Sequence, residues 1–116
     1  GMELKLQNGD YVLDGAARLC RVEGAEALLQ RVLFRLSARR GAFPFWGTLG
    51  SQLWQLGRLP AAARLPAARQ YVAAALAEEQ GLAVTDVALI ENSGAGILTV
   101  ELRYRETALS VSLELK

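Results

Sequence analysis

The apolar residues of this chain change period once, and that change limits what it can fold into. Leu28, Leu29, Val32, Leu33 and Leu36 recur three and four residues apart, which is the stripe of an amphipathic helix. From Leu82 onward the period is two. Leu98, Val100, Leu102 and Tyr104 interleave with Thr99, Glu101, Arg103 and Arg105. After a tight turn near Glu106-Thr107, Leu109, Val111, Leu113 and Leu115 repeat the pattern. Such strands make an antiparallel meander with one dry face and one wet face. Leu82 and Val84, then Val87 and Leu89, also alternate, but with a slip of phase at Asp86 that predicts a bulge. Asn92 to Gly96 reads as a loop.

Ahead of these strands the signals are helical. The first helix is expected over Ala25 to Ala38, with Arg39 and Arg40 complementing the dipole at its end and Gly41 stopping it. An aromatic loop, Gly41-Ala42-Phe43-Pro44-Phe45-Trp46-Gly47, leads to a short helix with Leu49, Leu53 and Leu56 in register and Gly57 closing it. Pro66 fits the first turn of a third helix, where its missing N–H costs nothing. Ala68, Val72, Ala75, Leu76 and Glu79 share a face of that helix, and Gly81 ends it. At the N-terminus, Met2, Leu4 and Leu6 alternate as a strand, Asn8-Gly9 suits a tight turn, and Asp10 to Leu13 would return. Arg18 to Val22 reads as a further short strand. Strands before and after a group of helices define α+β rather than α/β. The expectation is an N-terminal β-hairpin, two to three helices and a C-terminal three-stranded antiparallel meander. A single domain over 2–116 is expected, with Gly1 expected to be a remnant of tag removal.

Several function classes fall away on composition. The formal net charge is +1, whereas a dedicated nucleic-acid binder needs a concentrated positive field. Cys20 is the one cysteine and there is no histidine, so neither a disulfide framework nor a His/Cys zinc site can form within the chain. The usual general base near neutral pH is missing as well. No metal or cofactor is expected. No apolar run approaches the roughly 20 residues that span a bilayer, and no export signal is visible at the start, so synthesis and first action in the cytoplasm are expected. The basic residues are nearly all arginine, 11 against Lys5 and Lys116. Arginine is the better interface cation, although a general compositional bias towards Arg, Ala and Leu accounts for it equally well.

The residues that could carry function are few. Arg31, Arg35 and Arg39 repeat every four positions, a basic stripe expected opposite the apolar face of the first helix, with Arg40 beside it. It reads either as a docking strip for an acidic partner surface or a phosphate backbone, or as an ordinary solvated face. Phe43, Phe45, Trp46 and Trp54 gather around the Gly/Pro loop; two are expected to plug the core and at least one, Trp46, to be exposed as an interface anchor. Glu78, Glu79 and Asp86 are the carboxylates that a glycoside hydrolase would need, yet Glu78 and Glu79 are neighbours on a helix and point about 100° apart. A solvated Glu78 and a structurally bonded Glu79 are expected instead. The last strand, 109–115, would offer a template for strand addition if it lay at a sheet edge.

Several of these positions fall into a known order. Val22-Glu-Gly-Ala-Glu26, Leu29-Gln-Arg-Val32, Arg35-Leu-Ser-Ala-Arg-Arg-Gly41 and Leu49-Gly50-Ser51 resemble the contractile-tail baseplate wedge family. That family is also called phage baseplate assembly protein W and was historically labelled lysozyme-like; the likeness is to its branch in prophages of Gram-positive bacteria. Gln30, Arg31, Arg35, Leu36, Gly41, Pro44, Leu49 and Gly50 are in step with the pattern. The family's Glu-Pro-Arg-Ile step into the first C-terminal strand reads Glu79-Gln80-Gly81-Leu82 here, and its two following valines are Val84 and Val87. The glutamate and both valines match; the proline and arginine do not. The resemblance runs from about Gly9 to Leu115. It implies a non-catalytic structural subunit, assembled in the host cytoplasm into a virion tail baseplate. Other wedge proteins and the tail sheath are the implied partners, with no nucleic acid or membrane. Arg31, Arg35, Arg39, Arg40, Trp46 and Glu79 are the interface candidates. A peptidoglycan-cleaving enzyme and a cytoplasmic regulatory adaptor are the rival readings.

Overall fold

The computed structural model describes the backbone of residues 2–6, 15–93 and 95–115, and within them the side chains from Ala25 onward. The chain runs β1 (Met2–Leu6), α1 (Gly15–Ser37), a 3-10 helix (Leu53–Arg58), α2 (Ala61–Ala75), β2 (Leu82–Asn92), β3 (Ala95–Tyr104) and β4 (Thr107–Leu115). The four strands form one antiparallel sheet in the order β1-β4-β3-β2. The fold is α+β with a C-terminal three-stranded meander. The expected return strand, Asp10 to Leu13, lies outside the described residues.

One face of the sheet and the helices share a single core. Leu98, Val100 and Leu102 of β3 and Leu109, Val111 and Leu113 of β4 are buried with Leu28, Val32 and Leu36 of α1 and Ala68 and Val72 of α2. The alternation explains this arrangement, because consecutive side chains of a strand leave on opposite faces. The small Ala68 and Ala75 are nearly inaccessible, so α2 comes close to its neighbours. The other sheet face carries a mixed set of side chains, among which Ser110 and Ser112 are buried. Across it Ile90 pairs with Ile97, and Ile97 with Glu114; Thr99 pairs with Ser112 and Glu101 with Ser110. The expected bulge is present as a shift of register between Val84 and Asp86.

Five expectations need correcting. The helix α2 ends at Ala75, so Glu78 and Glu79 lie in the turn after it rather than as neighbours on a helix. Arg18 to Val22 is helical, part of an α1 that starts at Gly15. A short run such as Leu19-Cys20-Arg21-Val22 has no period long enough to separate strand from helix. Pro66 lies inside α2, because the helix begins one turn and more earlier, after Pro60. A proline there removes the bond to the carbonyl four residues back, and both Pro66 and Ala62 lie on the exposed side of the helix. The tight turn between β3 and β4 is centred on Arg105 and Glu106, with Tyr104 paired to Thr107 and Arg105 at φ +56°. Finally, β4 is an inner strand: β3 holds one edge and β1 the other, with Met2 opposite Leu115 and Leu6 opposite Val111. Strand addition through 109–115 therefore has no free edge to use.

Between α1 and the 3-10 helix the chain makes a closed loop whose ends are tied together. Arg40 N donates to Ser51 O (3.0 Å) and Ser51 N to Ala38 O (2.8 Å). The buried Ser51 hydroxyl donates to Leu36 O and accepts from Leu53 N. Gly50 permits this closure. Its φ is +101°, and a Cβ there would lie 2.6 Å from Ala38 O and 2.8 Å from Arg40 N, both main-chain atoms. Only glycine fits.

Candidate interaction surface

The loop 41–48, the C-terminal half of α1 and the turn that follows α2 meet at one place, and ion pairs hold them there. Arg35 Nε donates to Glu79 Oε2 at 2.8 Å, and Arg31 Nη2 to Glu79 Oε1 at 3.2 Å. Arg35 Nη1 also reaches Glu78 Oε1 at 3.2 Å. The indole N–H of Trp46 donates to the same Glu78 oxygen at 3.3 Å, and the Thr48 hydroxyl reaches both Glu78 oxygens at 3.2 Å. The Arg35 guanidinium lies 5.3 Å from the centre of the Trp46 ring. Two arginines, a tryptophan, a threonine and two glutamates thus form one network, joining residues 30 to 48 positions apart along the chain.

The electrostatics follow from burial. Only 7% of the Glu79 side chain and 11% of Arg35 is accessible, whereas 53% of Arg31 and 49% of Glu78 is. Burial by itself raises the pKa of Glu79. The hydrogen bonds from Arg31 and Arg35, and then their charges, outweigh it and hold the carboxyl below its ordinary value. A general acid for glycoside cleavage needs the reverse shift. Asp86 offers no second carboxyl to the cluster, since it sits on β2 opposite Glu101, on the sheet face away from the helices.

The six candidate interface residues divide. Arg31, Arg35, Trp46 and Glu79 come together in this network. Arg39 and Arg40 do not join it: the Arg39 guanidinium stacks 3.8 Å from the centre of the Trp54 ring, and Arg40 donates to Gly50 O (3.3 Å) and Ala74 O (3.0 Å). Arg35 is not opposite the apolar face, as expected, but at its margin. It follows Leu28 by seven residues and Val32 by three, which places it on the same stripe. Glu79 makes the structural ion pair expected of it. Glu78 is exposed, but it is held by three partners.

The aromatic residues depart further from expectation. Trp46 is exposed as expected, at 46%, but neither Phe43 nor Phe45 plugs the core, at 36% and 103%, and only Trp54 is half-buried. Phe34 joins them. Its ring centre is 5.9 Å from that of Phe43, and it is 48% exposed on α1. Sequence reasoning did not single out Phe34, although the signal was present, since position 34 falls off the Leu28–Leu36 stripe. Large aromatics side by side at the surface of a small domain mark an interaction site more often than chance exposure. No helix among the described residues is long and apolar enough to cross a membrane. Among the described residues there is also no group of three or more His, Cys, Asp or Glu that could hold a metal ion.

No protein-family model matches the chain, and no curated protein matches it. The fold and the surface define a class: a small α+β domain whose built, exposed feature is a fixed aromatic patch beside buried ion pairs.

Proposed function

We propose that the chain is a structural subunit of a contractile phage tail baseplate, acting by protein–protein contacts in baseplate and sheath assembly and catalysing nothing. The observation that carries the reading is where the matched residues fall. Arg31, Arg35 and Glu79 each match the wedge-family pattern, and these three, 44 and 48 residues apart, form ion pairs of which Arg35–Glu79 is largely inaccessible. A chance likeness spread over a Leu- and Arg-rich sequence gives no reason for matched positions to meet. Other matched positions have structural roles too: Gly50 closes the loop, while Leu36 and Val87 are in the core. The state of Glu79 supports the non-catalytic half of the proposal. A carboxylate held ionised by two guanidiniums has no proton to give to a glycosidic oxygen.

Electron microscopy of particles from an induced lysogen, with the protein labelled, tests the reading. Label at the baseplate is expected, as are defective or sheathless tails when the gene is deleted. Finished particles without the protein would refute it. So would clearing of purified cell walls by the isolated chain.

A further inference from the structure

The aromatic patch sits in a part of the chain with a one-sided charge. From residue 27 to residue 77 there are seven arginines, at 31, 35, 39, 40, 58, 64 and 69, and no aspartate or glutamate. Salt bridges engage Arg31 and Arg35 with Glu78 and Glu79, and Arg64 with Glu91. Arg39, Arg40, Arg58 and Arg69 have no carboxylate partner among the described residues. Phe34, Phe43, Phe45 and Trp46 all lie within this acid-free segment. We infer that the patch is the docking surface for a different polypeptide, one whose contact face is apolar and flanked by carboxylates.

Three observations select that partner. First, the patch is held in place before any partner arrives. Trp46 is fixed by its bond to Glu78 and by Arg35, and Phe34 and Phe43 pack on each other. Aromatic anchors that are already ordered lose little freedom on binding, the property of residues that dominate interfaces. Secondly, the charge excludes a second copy of this chain as the occupant. A self-complementary contact would bring together two copies of Arg39 and Arg40, which lead directly into the aromatic loop, and like charges across an interface are costly. Thirdly, the surround does not suit a nucleic acid. The half-exposed Glu78 is hydrogen-bonded to Trp46 at the patch itself, and a phosphate backbone crossing the indole would meet that carboxylate. A protein can set single carboxylates against Arg39 and Arg40, which have no carboxylate partner among the described residues, and leave Glu78 unopposed. The inference rests on the reading that the chain works through protein contacts, though not on the contractile tail as their setting.

Fluorescence anisotropy with labelled probes tests it. The first probe is a helical peptide with leucines on one face and glutamates along its margins; the second has lysine in place of every glutamate; the third is a 15-nucleotide oligo(dT). The glutamate peptide is expected to bind about tenfold or more tightly than the lysine peptide, and more weakly as salt is raised. Phe45→Ser should weaken it by about tenfold while the melting temperature stays unchanged, because Phe45 is wholly exposed. The docking inference is overturned by equal affinity for the two peptides, by no binding of the glutamate peptide, or by its undiminished binding to Phe45→Ser. Equal or tighter binding of oligo(dT) overturns it in favour of a nucleic acid. A concentration-dependent dimer abolished by Phe45→Ser overturns it in favour of self-association. A protein found in baseplates that ignores the glutamate peptide would sink this inference alone; one that binds the peptide but is absent from tails would sink only the baseplate reading.

Discussion

Replacing Glu79 by glutamine keeps the volume and one acceptor oxygen but removes the charge that two guanidiniums share. Breaking a buried ion pair by removing one partner costs about 3–5 kcal/mol when the other is left stranded. Here the stranding is partial. Arg35 keeps its bond to Glu78, and Arg31, with 53% of its side chain exposed, can turn to water. The expected loss is therefore smaller, ~2 kcal/mol. With an unfolding entropy of roughly 2.1 cal/mol/K per residue, a chain of 116 residues should melt about 8 °C lower. Glu78→Gln, at a half-exposed position, should stay within about 1 kcal/mol of the parent.

The pH dependence sharpens the test. The folded carboxyl of Glu79 titrates below its ordinary value, so the unfolded chain binds more protons than the folded one in the window between the two. The contribution of Glu79 is thus complete above the unfolded value and is lost as pH falls through the folded one. Thermal melts followed by circular dichroism should show the full gap between parent and Glu79→Gln at pH 7, and a narrowing gap below about pH 4. Arg35→Met combined with Glu79→Leu should recover most of the loss, since an apolar pair of similar size replaces a buried ion pair at little cost. A Glu79→Gln protein that melts within 2 °C of the parent (on the order of the smallest shift these melts resolve), or a gap unchanged at pH 3, would show that the pair does not hold loop and turn to α1.

Gly50→Ala should destabilise by about 3 kcal/mol or more, measured by urea unfolding, because the new methyl meets main-chain atoms at a positive φ. Leu98→Ala, at an inaccessible site of β3, should cost about 2–5 kcal/mol in the same assay. Trp54→Phe should be neutral within about 1 kcal/mol, since the buried indole N–H finds no acceptor among the described residues; a large loss would mean that the stacked Arg39 needs the larger ring.

What could be read from the sequence was what depends on period. Leu28, Leu29, Val32, Leu33 and Leu36 are all buried, as are Ala68, Val72, Ala75 and Leu76, and the alternation from Leu98 to Leu113 gives the inner sheet face residue by residue. The bulge near Asp86 was visible because a single extra residue reverses the phase of everything beyond it. The start of α1 was not legible, because Gly15 and Gly24 look like punctuation and the apolar positions between them are too few to set a period. The place of β1 was hidden for a different reason. Alternation tells a strand which face is dry but not which neighbour it takes, and Met2–Leu6 crosses the domain to pair with β4.

The arginines show where reading by stripe fails. A row at every fourth position marks a helix face, and the sequence left open whether that face meets water or a partner. The deciding residues were 44 and 48 positions away, in the turn after α2. Yet a signal for them existed in the charge order: a long acid-free stretch with seven arginines ends at two consecutive glutamates. Charges so separated along a chain short enough to fold as one unit gain by meeting. The first carboxylates after the helices, one of them almost inaccessible, neutralise the two arginines nearest the core margin, while Arg39, Arg40, Arg58 and Arg69 have no carboxylate partner among the described residues. The same pairing fixes Trp46 in place. The partly buried ion pairs and the exposed aromatic surface are therefore one unit, and a change in the first should be felt in the second.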